Sequence, residues 1–550
     1  MDHGHRAPGR WRLAGRQLPH DAGAAGSGGK RRPGVLTLEL DILIAGGDVV
    51  DGTGTPRSRL DVGIVGGKIA AVDRIADATA GCVIDAKGRI VAPGFIDVHV
   101  HSELARLGGS DQFAGVLDGV TTELMSPDGF SWAPLQPDRL REVKDYLQVF
   151  YGDPDIGWDW TSVADYLAIF RDRIPNNLVP QAPHLAIKAG AMGWGAEPSS
   201  SEQMAAMISS LVDWLEAGAV GMAAGLEYQP GALSPVDELV ALCRVVASAG
   251  GVYAPHQRGY WSRLARGSGE SFQIGRESGV KVHISHLAVD DTAAELLDEA
   301  QQKGVDVTFD MYPYTAACTH LLMMLPEWSQ AGGYASSMRQ LTDPPQREQL
   351  RAETAERIRE RGDIMLSSVE GGEELEGRRL GDLAREARQA DVDCLFELLA
   401  RHAGRALAVY HWPDSLDGEG LIRRTLAHPL YIGSTDGIYM GTRPHRRGFG
   451  TFARIAGEYV RSGALTLEQA VRKITGFPAE RFSLRDRGLL VAGRAADVTV
   501  FDPDGLADLS TWDNGRVSPS GIAHVIVNGE VVVHDGVPTG SLPGKIVGRT

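Results

Sequence analysis

The stretch Pro93-Gly94-Phe95-Ile96-Asp97-Val98-His99-Val100-His101 decides how this chain is interpreted. Apolar and polar residues alternate from Asp97 to His101, and successive side chains of an extended strand point to opposite faces. Asp97, His99 and His101 are therefore expected on one face. Two imidazoles on that face can bind one metal ion, or they can be two histidines of a half-buried strand without a ligand. The rest of the chain has to decide between these interpretations.

The composition is that of an ordinary globular protein. The 550 residues are 43% hydrophobic and 23% charged, with a formal net charge of −16. This acidic balance argues against a nucleic-acid partner or an anionic membrane surface, because phosphates require clustered Lys and Arg. No uncharged apolar run has the length of a membrane span. The cysteines are scattered, which favours a reduced, cytoplasmic protein over a disulfide framework; they are Cys82, Cys243, Cys318 and Cys394.

The two ends of the chain differ from its middle. Residues 1–38 are basic and Gly-rich without hydrophobic periodicity, which predicts a disordered tail rather than a secretory signal. Residues 39–92 contain short strand-like runs separated by Gly-containing turns. Residues 486–550 repeat this style, with Gly488–Val491 as one run and Asn528-Gly529 as a hairpin signal. We predict that both ends pair into one small composite β-sandwich.

Between these ends, strands and helices alternate over residues 93–485. The pattern includes a strand at 182–187 and an amphipathic helix at 201–217. Such alternation is typical of parallel βα units, and about eight of them would close a (β/α)8 TIM barrel with its active site at the carboxyl ends of the strands. A doubly wound open sheet is the competing topology. Residues 320–390 are charged and helical, and we interpret them as an insertion.

Histidine and aspartate residues recur at the ends of the strand-like runs. This is the position at which a barrel carries its chemistry. Imidazole and carboxylate together suit a divalent metal, zinc first. The residues concerned are His99, His101, His256, His286 and Asp436.

Several motifs, in order over residues 40–550, resemble the N-acyl-D-amino-acid deacylase (D-aminoacylase) branch of the amidohydrolase superfamily. Besides the opening stretch they are Gly119-Val120-Thr121-Thr122, Gly225-Leu226-Glu227-Tyr228, Tyr253-x-x-His256-x-Arg258, Ile284-Ser285-His286, Asp310-Met311-Tyr312-Pro313-Tyr314, Ser434-Thr435-Asp436-Gly437 and Pro444-His445-x-Arg447. The resemblance implies a (β/α)8 barrel with a composite β-sandwich and metal-assisted amide hydrolysis.

The resemblance also implies a ligand set for one or two zinc ions. His99 and His101 would hold one metal, and His256 and His286 the other. The family places a bridging ligand, usually Cys, in a turn where this chain has Asp128. Glu123, in the preceding strand-like run, is the competing bridge. Lys188 is a minor candidate for a carboxylated bridging lysine, as other branches use.

Further roles follow from the same resemblance. Asp436 would act as general base and then general acid, Tyr228 would donate to the oxyanion, and His184 would assist polarisation or orient the site. The residues expected to contact substrate are Arg447, Tyr312, Arg258 and His445. The chain departs from the family at Ala288 and Cys318, where a Lys and a Ser help to bind the amino-acid carboxylate.

We therefore predict a metal-dependent hydrolase of N-acyl-D-amino acids with a small-molecule N-acyl amide substrate. The alternatives are a cyclic amidase of the dihydroorotase or hydantoinase type, a hydrolase of linear amides without an α-carboxylate, and an inactive barrel that serves as a binding scaffold. The sequence carries no signal for the oligomeric state. Five apolar residues are candidates for an acyl pocket, namely Trp132, Met192, Trp194, Met323 and Met324.

Overall fold

The computed structural model describes residues 38–195 and 197–549, so the predicted basic tail at residues 1–38 lies outside the described residues except for Leu38. The strands are β1 Leu38–Val49, β2 Ser58–Val65, β3 Lys68–Asp73, β4 Ala78–Asp85, β5 Ile90–Pro93, β6 Phe95–Asp97, β7 Val100–His101, β8 Val120–Leu124, β9 Asn177–Val179, β10 Ala182–Pro183, β11 Gly221–Gly225, β12 Val252–His256, β13 Lys281–Ile284, β14 Val307–Met311, β15 Ala316–His320, β16 Ile364–Val369, β17 Ala406–His411, β18 Tyr431–Gly433, β19 Gly437–Ile438, β20 Val498–Phe501, β21 Ile522–Val527, β22 Glu530–His534 and β23 Val537–Pro538.

The helices lie mainly between the barrel strands. They are α1 Ala114–Leu117, α2 Pro137–Tyr151, α3 Val163–Ala168, α4 His184–Met192, α5 Ser201–Glu216, α6 Val236–Ser248, α7 Leu264–Ser278, α8 Asp291–Gln302, α9 Gly333–Thr342, α10 Pro344–Arg361, α11 Leu380–Ala387, α12 Asp391–Arg401, α13 Gly418–Ala427, α14 Arg447–Ala453, α15 Tyr459–Arg461, α16 Leu467–Ile474 and α17 Gly476–Arg481. Within the described residues, no helix is both long enough and apolar enough to cross a membrane.

Strands from both ends of the chain form one nine-stranded sheet. Its order is β23-β22-β21-β20-β5-β1-β2-β3, with β4 paired to β1. The two ends meet where β20 runs antiparallel to β5, with Val498 opposite Pro93. This sheet has its own hydrophobic core, which includes Ile44, Ile64 and Val500. The composite β-sandwich is thus confirmed, although the predicted run at Gly488–Val491 is irregular rather than a strand.

Eight segments of parallel strand form the barrel. One arc has the order β6-β8-β9, and a second has the order β10-β11-β12-β13-β14-β18. Strands β9 and β10 are separated by two residues, so they continue one segment. The last segment returns to the first through Thr435, whose backbone N–H donates to Asp97 Oδ1 at 3.0 Å. The barrel is confirmed against the open sheet, because an open sheet would leave β6 and β18 on opposite edges.

The insertion between β14 and β18 is larger than predicted and is not only helical. Besides α9 to α12, it contains the three-stranded antiparallel sheet β15-β17-β16. The strands β15 and β17 lie largely or wholly outside the predicted limits of 320–390. Their short apolar runs have no clear period, which is why a helix and a strand could not be distinguished there.

The predicted strand at 182–187 is wrong beyond its first two residues. Strand β10 ends at Pro183, and helix α4 begins at His184. A short apolar run does not identify the element by its period, and the Ala-rich continuation favours a helix. Because α4 begins at His184, both His184 and Lys188 lie on this helix and not on a barrel strand.

Asp497 joins the sandwich to the barrel. Its buried carboxylate accepts hydrogen bonds from Arg487, from the backbone N–H of Asn528 at 2.7 Å, and from Asn177 Nδ2 at 3.2 Å. Its carbonyl accepts from the N–H of Gly94, just before the first barrel strand, at 2.9 Å. One side chain therefore links β9 of the barrel to Arg487 and to the turn between β21 and β22 of the sandwich.

We expect Asp497→Ala to lower the free energy of unfolding by about 3 kcal/mol, because the buried Arg487 guanidinium loses its buried anion and keeps only the half-buried Asp486 at 3.2 Å. Asp85→Ala is the matched control, since the Asp85 side chain is 68% exposed and lies 3.8 Å from Lys87. That control should change the free energy by less than about 0.5 kcal/mol. Urea denaturation followed by circular dichroism measures both. Equal effects of the two substitutions would contradict the linking role of Asp497.

Candidate active site

The predicted ligand residues meet at the carboxyl ends of the barrel strands. His101 lies in β7, His256 ends β12, and His286 and Asp436 follow β13 and β18 within a few residues. The strand that carries the opening motif breaks after Asp97 and resumes at Val100. His99 lies in that break, yet both histidines of the motif reach the same buried cluster. Asp128 enters from the turn after β8.

Two overlapping groups of these side chains have the spacing of metal ligands. His99, His101 and Asp436 form one group, and His99, Asp128 and His286 form the other. In the first, Asp436 Oδ1 lies 3.6 Å from His99 Nε2 and 3.5 Å from His101 Nε2. In the second, Asp128 Oδ1 lies 3.5 Å from the same His99 nitrogen. The shared His99 places both groups in one cavity.

His256 completes the second group. Its Nδ1 lies 3.8 Å from Asp128 Oδ1 and 3.0 Å from His286 Nε2. Its Nε2 lies 3.1 Å from Glu227 Oε2. Because the Glu227 carboxylate accepts the Nε2 proton, it leaves Nδ1 as the lone-pair nitrogen that faces the cluster. Glu227 was not predicted, although it stands beside Tyr228 in the quoted motif.

The donor atoms fit a divalent ion. Asp128 Oδ1 and His99 Nε2 are buried and have no hydrogen-bond partner among the described residues. Leaving such atoms unsatisfied costs about 1–3 kcal/mol each, so a ligand is expected between them. Burial lowers the pKa of His286 to about 4, which keeps this imidazole in the neutral form that binds metals.

Backbone strain concentrates at the ligands. Three of these residues have φ values in the left-handed region, which residues other than glycine rarely adopt. The values are 56° for Asp128, 39° for His286 and 48° for Asp436. Such conformations cost about 1–3 kcal/mol each and persist where surrounding structure imposes them. The turn of Asp128 is packed so closely that a Cβ added at Gly225 would lie 2.8 Å from its carbonyl oxygen. These turns aim the side chains into the cavity.

Hydrogen bonds behind the ligands hold them in place. His101 Nδ1 lies 2.9 Å from the Tyr151 hydroxyl, which leaves Nε2 to face Asp436. Asp310 accepts from the backbone N–H of His286 at 3.0 Å and from Ser434 Oγ at 2.7 Å. Tyr151 and Asp310 were not assigned roles from the sequence, but Asp310 begins one of the quoted motifs.

Asp436 is held as a carboxylate by its neighbours. Burial alone would raise its pKa, but Arg447 and the histidines lower that pKa well below the usual value. Arg447 Nη1 lies 2.9 Å from Asp436 Oδ2. The two oxygens of Asp436 therefore face different partners, one the histidine pair and the other the guanidinium.

Tyr228 and Tyr312 both line the cavity. The Tyr228 ring lies 4.9 Å from the His256 ring, and its hydroxyl lies 3.0 Å from Thr319 Oγ1 on β15. The Arg447 guanidinium lies over the Tyr312 ring at 4.4 Å. The cavity has a volume of about 120 Å³, and its lining includes Cys318 together with Ala288.

The structure does not bring Glu123 to the cluster. Its carboxylate is bound by Arg106 through Nη2 at 2.8 Å and Nε at 3.0 and 3.2 Å, and by Ser102 Oγ at 2.7 Å. All three of these side chains are buried. Both oxygens of Glu123 are therefore occupied away from the cluster. Of the two candidates for the bridging ligand, only Asp128 lies with the histidines.

Two further predicted residues lie behind the site instead of facing it. Arg258 binds Glu270 at 3.1 Å and the carbonyl oxygens of Ala232 and Ser234, so its donors serve the fold. His445 accepts the backbone N–H of Arg447 on Nδ1 at 3.0 Å, and its Nε2 donates to the carbonyl of Ala316 at 3.1 Å. His445 therefore positions Arg447 and has no free nitrogen for substrate.

His184 and Lys188 belong to α4. His184 Nε2 lies 3.5 Å from Ser234 Oγ, and the residue is absent from the lining of the cavity. Lys188 Nζ lies 2.6 Å from Glu238 Oε1, and both side chains are buried. A lysine that is held in such an ion pair, away from the cluster, is not placed to bridge two metal ions as a carboxylated side chain. The prediction that Lys188 is a candidate for this role is therefore wrong.

Comparisons with known proteins identify relatives over nearly the whole chain. The model of the amidohydrolase family matches residues 82–253 and 282–533. A D-aminoacylase and an N-acyl-D-glutamate deacylase of Alcaligenes xylosoxydans xylosoxydans are each 34% identical over 521 residues, which is 93% of this chain and 98% and 97% of those proteins. The crystal structure of N-acyl-D-glutamate deacylase from Bordetella bronchiseptica, with zinc and a phosphonate inhibitor, is 32% identical with a TM-score of 0.80, covering 93% of this chain and 100% of that one.

We expect Asp128→Asn to lower the affinity for a divalent ion by about 10–100-fold, because an amide oxygen lacks the charge that bridges cations. Competition with a fluorescent chelator and metal analysis measure this loss. Glu123→Gln is the matched variant: it should keep its metal but lose about 2 kcal/mol or more of folding free energy, since Arg106 stays buried without its anion. The reversed pattern, in which Glu123→Gln loses the metal and Asp128→Asn keeps it, would restore Glu123 as the bridge.

Proposed function

Because this chain belongs to the amidohydrolase family, we propose that it hydrolyses the amide bond of N-acyl-D-amino acids to a carboxylate and a D-amino acid. The observation that carries the proposal is the pair of ligand groups sharing His99, set beside a buried Arg447. One part of the site fits a divalent ion, and the adjacent part fits an anionic substrate group.

The metal set is proposed as His99, His101, His256, His286, Asp128 and Asp436, holding one or two zinc ions. A bound divalent ion supplies Lewis acidity, which acidifies water and polarises a carbonyl group. Mixed imidazole and carboxylate donors suit zinc. The Asp128 carboxylate is a harder ligand, in the hard–soft sense, than the thiolate that the family usually has at this position. The protein would therefore accept other divalent ions more readily than a thiolate site does.

Asp436 is proposed as the proton carrier. Its low pKa keeps it ionised, so it can accept a proton from the attacking water and deliver it to the leaving amine. The Arg447 charge at 2.9 Å stabilises the carboxylate before Asp436 accepts the proton and after it has delivered it. Tyr228 would donate a hydrogen bond to the oxyanion of the tetrahedral intermediate.

Arg447 is proposed to bind the α-carboxylate with Tyr312. Its Nη1 lies 2.9 Å from Asp436 Oδ2, whereas its buried Nε makes no hydrogen bond within the described part of the chain. A planar guanidinium with free donors can hold a carboxylate through two hydrogen bonds. Ala288 and Cys318 replace two polar anchors of the family pattern, so Arg447 carries more of this interaction here.

The remaining alternatives have less support. A cyclic amidase that depends on a carboxylated lysine does not fit the buried Lys188–Glu238 ion pair. A linear amidase without carboxylate recognition would leave the buried Arg447 Nε without a partner among the described residues. We also propose a cytoplasmic setting, because the four cysteines are unpaired in the described residues.

A hydrolysis screen tests the function. The zinc-loaded enzyme is assayed on N-acetyl-D-leucine, N-acetyl-L-leucine and the amide analogue of each that lacks the carboxylate. We expect turnover of the D-amino acid, and at least ten-fold slower turnover of the analogue without a carboxylate. Asp436→Asn should remain folded but lose at least 100-fold in kcat. Preferred hydrolysis of the carboxylate-free amide would overturn the substrate assignment.

We expect Thr319→Val to reduce kcat about ten-fold with little change in KM, because one hydrogen bond to the Tyr228 hydroxyl is worth about 1.4 kcal/mol. With Thr319 as donor, Tyr228 keeps its own proton for the oxyanion. Thr319→Ser keeps the hydroxyl and should restore most of kcat. If the Val and Ser variants have equal kcat, Thr319 does not position Tyr228.

A further inference from the structure

A second chamber adjoins the catalytic cavity. Its volume is about 500 Å³, against about 120 Å³ for the cavity at the ligands. The two share several lining residues, including Tyr260, Trp261, Ala317, Met323, Arg361 and Trp412. The space at the scissile bond is therefore continuous with a larger one formed between the barrel and its insertion.

The wall of the outer chamber is mainly apolar and aromatic. Trp261 and Trp412 pack edge to face with ring centroids 5.1 Å apart, one from the barrel and one from the insertion. Met323 and Met324, two of the five residues predicted for an acyl pocket, lie in this wall with Tyr410. Apolar walls of this kind bind a hydrocarbon or aromatic part of a ligand.

Most of the charged residues of the chamber have an oppositely charged or hydrogen-bonding partner beside them. Arg263 lies 2.8 Å from Glu327, and Arg357 lies 3.1 Å from Glu353. Glu227 is paired with His256 at 3.1 Å. Glu360 is exposed to solvent at the rim.

Arg361 differs from these residues. It is the half-buried last residue of α10, it lines both spaces, and its guanidinium lies over the Tyr410 ring at 5.6 Å. Within the described residues it has no hydrogen-bond or ion-pair partner. A guanidinium over a ring keeps five N–H donors for another ligand, and a carboxylate is the group that matches their geometry.

We propose that Arg361 binds a second carboxylate, at the far end of an elongated and partly apolar substituent of the N-acyl amino acid. This inference rests on the proposed function, and it names the substrate class as N-acyl-D-amino acids with two carboxylates. The second carboxylate can come from a dicarboxylic acyl chain or from an acidic side chain. Both sources have the same terminal chemistry.

Arg361 also has a simpler role open to it. A cation at the last turn of a helix interacts favourably with the helix dipole. That role concerns folding alone and does not distinguish between substrates. Substrate selectivity therefore separates the two roles.

The test compares matched substrates with the zinc-loaded enzyme. The acyl pair is N-glutaryl-D-leucine and N-pentanoyl-D-leucine, and the side-chain pair is N-acetyl-D-glutamate and N-acetyl-D-glutamine. For at least one pair, Arg361→Gln should reduce the ratio of kcat/KM values, anionic over neutral, by ten-fold or more, mainly through KM. The pair that responds identifies the source of the carboxylate. Arg361→Lys should retain part of the ratio.

Arg359→Gln is the control, since Arg359 is exposed on the same helix and lines neither space. It should leave both ratios unchanged. Unchanged ratios in Arg361→Gln would overturn the inference while leaving the hydrolase assignment intact. If the wild-type enzyme hydrolyses none of these substrates, the inference is tested by calorimetry with glutarate and pentanoate. Wild type should bind glutarate at least ten-fold more tightly than pentanoate, and Arg361→Gln should bind the two equally. Equal binding of the two by wild type would overturn the inference.

Discussion

Closure of the barrel between its first and last strands is the constraint on which the site depends. The backbone N–H of Asp436 donates to the carbonyl of His99 at 2.7 Å, and Thr435 binds the Asp97 carboxylate through its N–H and its hydroxyl. These contacts join segments 338 residues apart in the chain. They place the Asp436 carboxylate within 3.6 Å of both histidines of the opening motif. Without this closure the histidine pair would lack Asp436, the third member of its ligand group.

The cluster concentrates charge in a buried place, and the fold compensates it with paired groups. Asp436 faces Arg447, Glu227 faces His256, and Asp310 faces His283 at 2.9 Å. Charges that are buried without partners are strongly unfavourable, so each carboxylate needs its cation or donor. Asp128 is the exception, because its Oδ1 has no hydrogen-bond partner in the described structure. Together with its place among the histidines, this unpaired oxygen makes Asp128 available to a ligand.

Sequence reasoning succeeded where periodicity and strand ends carry the information. The helix predicted at 201–217 is observed at Ser201–Glu216, and the residues at strand ends converge as the barrel rule requires. It failed where the hydrogen-bond or ion-pair partner of a side chain is determined by tertiary contacts. Nothing local shows that Glu123 would be bound by Arg106, or that Arg258 would serve two backbone carbonyls. The strand predicted at 182–187 failed for another reason, because its apolar run suits a helix equally well.

The residues of the site come from two layers of the molecule, the barrel and the insertion that covers its mouth. The ends of the barrel strands and the turns beside them carry the proposed ligands, whereas β15 carries Thr319 beside Tyr228, and α10 carries Arg361. A barrel strand end is rigid and suits groups that must keep a fixed geometry for catalysis. An added layer at the mouth can change its side chains without moving the ligands. The chemistry of this enzyme is therefore set by barrel closure, and its choice of substrate by the surface that the insertion lays over it.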